Sequence, residues 1–186
     1  MEIFRYFNWV DLFISSVLIR VLYIGFKNGF VVEFFKILTT LFAIFITLHY
    51  YSGLSRFLYP HLQFLGDILD FFVFGFLWLL VIIIFKLVRD GLMLILRIEA
   101  NAALEKWGGL LLAVVRGALV CSLFFLLLNC WGGEYMDRNL KGSFIRPHIG
   151  HLALDVYRWS YGAMINKLFP EEKLNIEAFQ SAHIDE

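Results

Sequence analysis

Four apolar stretches, each about as long as a bilayer is thick, constrain this chain more than anything else in it. They run roughly Phe7–Ile24, Phe34–Tyr51, Ile68–Val88 and Trp107–Trp131. About 20 helical residues at ~1.5 Å each cross the ~30 Å hydrocarbon core. A helix lying on a soluble core carries a polar stripe at the helical period, whereas these stretches are apolar all round. Charged residues make up 17% of the chain, below the ~25% of an ordinary soluble domain. The expected fold is therefore all-α and polytopic: four transmembrane helices, a short interfacial helix before the fourth, and a C-terminal amphipathic helix.

Sixteen basic residues balance sixteen acidic ones, so no polybasic surface argues for nucleic acid. The opening Met1-Glu2-Ile3-Phe4-Arg5 has an early acid and little positive charge, and no small-residue cleavage site follows the apolar region. The first span is expected to stay in the mature protein. Gly25-Phe26-Lys27-Asn28-Gly29 reads as a tight connection to the second span. That span is expected to end at His49-Tyr50-Tyr51-Ser52-Gly53, with a short loop through Pro60 and Gly66. Gly91 is expected to break the third span, leaving residues 92–104 as the interfacial helix.

Beyond Gly133 the sequence turns mixed polar. Pro147 suits the first turn of a helix reaching about Phe169, where Pro170 stops it. Its apolar stripe is read as Ile149, Leu152, Val156, Trp159 and Ala163, which would lie on the membrane or dock on the bundle. The domain reading is 1–133 for the transmembrane bundle, 134–170 for the amphipathic segment and 171–186 for a disordered tail. Basic residues fall evenly on the two sides, so the positive-inside rule returns a tie.

Buried charge marks the candidate site. An ionised group at the bilayer centre costs about 2.5–3.5 kcal/mol on insertion scales, so depth decides the reading. Arg20 and Lys36 lie near span ends and can snorkel. Arg116 lies about nine residues into the fourth span, near ~13 Å deep, and should face inward and find an acid. Alternating spans put Arg20, Glu33 and Arg116 in one membrane half, with Asp11, Asp67 and Asp70 in the other. Glu33 is thus the expected partner of Arg116, with Arg20 the third member of a candidate intramembrane network. Such a network is either a helix-fixing ion pair or a site that handles an ion or ligand.

Two small-residue series, Gly25-x-x-x-Gly29 and Gly109-x-x-x-Ala113 continued by Gly117, have the spacing that lets helix backbones approach. Cys121 and Cys130 sit nine residues apart on opposite faces of one helix, so they cannot bridge and read as buried thiols. His148-x-x-His151 has no acid or cysteine at ligand spacing and reads as an interfacial pair.

Asn8-Trp9-x-Asp11 and Gly25-Phe26-Lys27-x-Gly29-Phe30-x-x-Glu33 closely resemble the first motif of the colicin V production protein family. Leu104-Glu105-Lys106-x-x-Gly109 with Arg116-Gly117 resembles its second, and the tail from Ser143 also fits. The resemblance covers about residues 8–170 and marks Asp11, Gly25, Gly29, Glu33, Gly109, Arg116 and Gly117 as motif positions. Ala113 stands where the family usually has glycine, and Arg20 is an unusual charge in the first span.

The resemblance implies a bacterial inner-membrane protein needed for colicin V production and linked to envelope integrity, with no reaction attached. No nucleophile elbow, P-loop or dinucleotide glycine pattern is present, so no enzyme and no cofactor is expected. Expected partners are the lipid bilayer and either further copies of the chain or other membrane proteins. A small oligomeric transporter or channel built on Glu33 and Arg116 is the alternative.

Overall fold

The computed structural model describes residues 8–95, 102–131, 134–165 and 174–180, and among these every regular element is helical. The first helix, α1, runs Trp9–Leu58. Fifty residues of straight helix would span about 75 Å, more than twice the hydrocarbon core. A break at Gly29 resolves the mismatch, with φ 78° and ψ 170° inside the helix.

Packing shows what the break accomplishes. At the start of the first arm, Val10 and Ile14 cluster with Cys121, Phe125 and Leu128 of α3, the helix Ala102–Asn129. At the far end of the second arm, Leu48 and Tyr51 pack in a cluster with Leu123, Leu126 and Cys130, the same end of α3. Between them, Gly25 lies against Gly109 and Ala113, toward the other end. The two arms therefore run in opposite directions along α3, and they are the first two apolar stretches of the sequence.

The glycines flanking the break act for different reasons. Gly29 has room: an added Cβ would lie 3.6 Å from the Cβ of Glu105. Its backbone angles, however, belong to a region that glycine alone visits readily. At Gly25 space is the constraint, since a Cβ there would sit 2.1 Å from the Ala113 Cβ. Sequence reading made Gly25–Gly29 one tight connection. In the structure the helix passes through Gly25 and turns only at Gly29.

After a 3-10 segment over Gln63–Ile68, α2 spans Leu69–Ile95. Val73 and Phe74 pack into the cluster that holds Tyr51. Phe72, Phe76, Leu79, Ile83 and Leu87, which helical spacing puts on the opposite side, stay exposed. So large an apolar face is at odds with water and suits lipid. Three helices are long and apolar enough to cross a membrane: Trp9–Leu58, Leu69–Leu92 and Glu105–Asn129.

Several expected boundaries move. The second arm does not stop at Gly53 but continues to Leu58. Gly91 does not break α2 either: the helix runs through it to Ile95. Of the expected interfacial helix, 92–95 belong to α2 and 102–104 to α3, and 96–101 lie outside the described residues.

Among the described residues the C-terminal part holds four short helices: α4 (Glu134–Lys141), α5 (Arg146–Ile149), α6 (Leu152–Ser160) and α7 (Glu177–Gln180). A π-helical turn, Tyr161–Ile165, follows α6. The single helix expected from Pro147 is thus interrupted at Gly150-His151. Its remainder toward Phe169 lies outside the described residues, and of the tail expected to be disordered, residues 174–180 pack on the bundle, with Glu177–Gln180 helical and Ala178 buried. The buried face matches the expected stripe in part: Ile149, Leu152 and Val156 pack half-buried against the core. Ala153, Leu154 and Tyr157 go inward, Trp159 is 70% exposed and Ala163 is exposed.

The bundle dictates that choice by offering polar partners. The buried Ser122 hydroxyl, on α3, donates to the Gly150 carbonyl (2.9 Å) and accepts from the Ala153 amide (2.8 Å). The Tyr157 hydroxyl lies 3.0 Å from His49 Nδ1 and accepts from the Asn175 amide at 3.1 Å. The Asn175 side chain in turn donates to the Leu48 carbonyl at 2.7 Å.

Candidate functional site

Glu33 lies four residues past the break, in the first turn of the second arm, where the positive end of the helix dipole favours a carboxylate. Its side chain is fully buried. Burying an ion without partners is prohibitive, and this carboxylate has three. Arg116 Nε donates to Oε2 at 2.8 Å. Lys36 Nζ and Asn28 Nδ2 donate to Oε1 at 2.7 and 3.2 Å. The network thus ties together the residue before the break, the turn after it and the middle of α3.

Sequence reasoning placed Glu33 beside Arg116, and the structure brings these two together. Arg20 is not among them: it is exposed on the first arm and makes no recorded bond to Glu33. Lys36, read from sequence as a snorkelling residue, takes that place. Its i, i+3 spacing from Glu33 was the available signal.

One carboxylate shared by two cations leaves a positive charge, and that charge has a place to act. Lys36 and Arg116 line a cavity of about 300 Å³ together with Thr39, Thr40, Lys86 and Arg89. Only the Nε of Arg116 is bound to Glu33, so its terminal NH2 groups have no recorded partner among the described residues. The threonine hydroxyls instead donate back to the helix, at 2.9 Å to the carbonyls of Phe35 and Lys36.

Asp11, also fully buried, anchors the opposite end of the first arm. It accepts from the Ser143 hydroxyl and from the amides of Phe144 (3.1 Å) and Ile145 (3.3 Å). The Asn8 side chain adds a bond of 2.6 Å to the Asn139 carbonyl. The Asn8-Trp9-x-Asp11 motif is therefore a clasp on the segment entering α5. Asp70, grouped with Asp11 by sequence, instead accepts from the Ser55 hydroxyl and joins α2 to the second arm.

The remaining motif glycines set how closely helices approach. A Cβ on Gly109 would lie 2.8 Å from the Gly25 carbonyl oxygen, and one on Gly117 would lie 3.1 Å from Leu18 Cδ2. Gly25, Gly29, Gly109 and Gly117 thus line the contact between the first arm and α3. Sequence reasoning missed Ser122 and the His49–Tyr157–Asn175 cluster. A lone hydroxyl in an apolar span, as at Ser122, was the one signal available.

The thiols of Cys121 and Cys130 are free and buried. Among the described residues, no group of three or more His, Cys, Asp or Glu is placed to hold a metal ion. His148 Nδ1 lies 3.3 Å from the Phe144 carbonyl, and His151 Nε2 lies 3.7 Å from Oδ2 of Asp155, an acid one helical turn on that the sequence reading passed over.

Long apolar helices, a lipid-suited outer face and a buried ion pair between helices define a multi-pass, all-helical membrane protein. The family described as colicin V production protein matches residues 10–153, from the first arm into α6, and the chain belongs to that family. No curated protein and no solved structure matches it.

Proposed function

We propose that this protein is an inner-membrane accessory or assembly factor of four crossings, the two arms of α1 plus α2 and α3. In this reading it supports colicin V production or export and envelope homeostasis through helix contacts, without catalysing a reaction. The observation that carries the reading is how the motif carboxylates are used. Both oxygens of Glu33 and both of Asp11 bind groups of the same chain. Acids engaged in this way fasten helices and are poorly placed to do chemistry.

Partners would then meet the outward surface, either another copy or a different membrane protein. Trp159 is a suitable anchor, because it projects from a helix whose other face is fixed to the bundle. In native membranes, a photocrosslinker at position 159 should capture a discrete partner or a second copy. Trp159→Ala should reduce secreted colicin V without lowering the amount of folded protein. Wild-type secretion from that variant, with no crosslinked species, refutes the reading.

The basic cavity favours a second reading, a small oligomeric transporter or channel. Charge-dependent flux into liposomes that falls in Lys86→Gln supports it, and its absence from actively folded protein removes it.

A further inference from the structure

A second cavity, of about 290 Å³, adjoins the basic one. Phe13, Ile14, Val17, Cys121 and Phe124 line it with Trp78 and Val120, and its lining is wholly apolar. Trp78 and Val120 also line the basic cavity, so the two chambers share a wall. Both arise because α2 packs chiefly on α1 and touches α3 little.

The chambers differ in depth. Lys36 lies seven residues past the break, and Lys86 and Arg89 lie near the end of α2, so the basic chamber sits toward the Gly29 end. Phe13, Ile14 and Phe124 lie toward the opposite end of the bundle. Charge therefore gives way to hydrocarbon-like lining along the bundle axis, as it does along a lipid from headgroup to chain.

The charge balance sets the sign of the occupant. Four cations, Lys36, Lys86, Arg89 and Arg116, face the basic chamber. Glu33 is shared by Lys36 and Arg116, and Asp90 binds Arg89 at 2.6 Å. Lys86 has no ion-pair partner among the described residues. Two positive charges remain in excess, and the Arg116 terminal nitrogens offer a fork suited to phosphate oxygens. We propose that the paired chambers bind one anionic phospholipid, its phosphate among Lys36, Lys86, Arg89 and Arg116 and a chain past Trp78 into the apolar chamber. This site stands independently of the accessory role.

The test is native mass spectrometry of the full chain released from detergent. The probes are phosphatidylglycerol and phosphatidylcholine with identical acyl chains, and inorganic phosphate as competitor. One phosphatidylglycerol should be retained in preference to phosphatidylcholine, and millimolar phosphate should not displace it. Lys86→Gln should weaken retention about fivefold, the factor one basic residue is worth against an anionic lipid surface. Val120→Trp, which fills the junction, should weaken it as well, and Arg20→Gln, a basic residue outside the chambers, should leave it unchanged. Lys86 is exposed, so its variant reads the site even if Val120→Trp fails to fold. Equal retention of the two lipids, displacement by phosphate, or equal losses in Lys86→Gln and Arg20→Gln each overturn the proposal.

Discussion

Gly25→Ala is expected to cost far more than adding one methyl group to a helix suggests. The new Cβ would lie 2.1 Å from the Ala113 Cβ. Carbon atoms pack best at about 3.5–4.0 Å, so the helices would have to part by roughly 1.5 Å. Parting would also open the neighbouring contact, where Gly109 packs directly on the Gly25 and Gly29 backbone. Over-packing of this kind costs about 1–3 kcal/mol, and the ~1 kcal/mol gained in helix propensity offsets only part of it. The clash has one main source, so removing it should rescue the variant. In Gly25→Ala/Ala113→Gly the next nearest atom is the Gly109 carbonyl oxygen, at 3.2 Å. Thermal unfolding in detergent of the wild type, both single variants and the double variant gives a full cycle. The coupling between the two positions should favour the double variant by about 1–2 kcal/mol. A Gly25→Ala protein as stable as wild type, or a double variant no better than Gly25→Ala, would refute the close-approach argument.

Gly29→Ala places a side chain on φ 78° and should cost about 1–3 kcal/mol, read as a lower melting temperature that Ala113→Gly does not restore. Glu33→Gln leaves Lys36 and Arg116 without their shared counter-charge and should destabilise by about 3–5 kcal/mol, with Glu33→Gln/Lys36→Met recovering part of the loss in the same melts. Ser122→Ala strands the Ala153 amide and Gly150 carbonyl at a cost of about 1–3 kcal/mol, so hydrogen exchange should rise at residues 150–157 before it rises in α3. Asp11→Ala should free the segment at Ser143–Ile145, and limited proteolysis should then cut between α4 and α6 while the long helices stay intact.

The long helices were legible because lipid leaves so few ways to hide a backbone: apolar runs of about 20 residues all but dictate helices. Glu33 with Arg116 was legible for the same reason, since a deep guanidinium needs an acid in its own half of the membrane. What sequence could not give was length beyond the apolar run. Tyr51 to Leu58 stays helical although its polarity rises, because Tyr51 packs on Phe74 and Ser55 bonds to Asp70. On α6 Leu152 and Val156 pack on the bundle as expected, but Trp159 was misplaced because apolarity was weighed above hydrogen bonding. Tyr157 is buried for its hydroxyl, and Trp159, the more obvious core residue, faces out. Arg20 was grouped with Glu33 by membrane half alone, which fixes depth and not the direction a side chain points around the helix.

Between helices in lipid the apolar driving force is weak, so association rests on close approach and polar contacts. Helices α1 and α3 have both: Gly25 against Ala113 just before the break, Glu33 with Arg116 just beyond it, and Asp11 holding the chain that returns to Ser122. By contrast α2 meets α1 through side-chain packing and the Ser55–Asp70 bond, and it faces α3 across the two chambers. The polar fastenings therefore divide the bundle into a fixed pair and a less restrained third helix. Any occupant of the chambers displaces α2 most easily, and Trp78, which borders both, is the side chain whose fluorescence should report its entry.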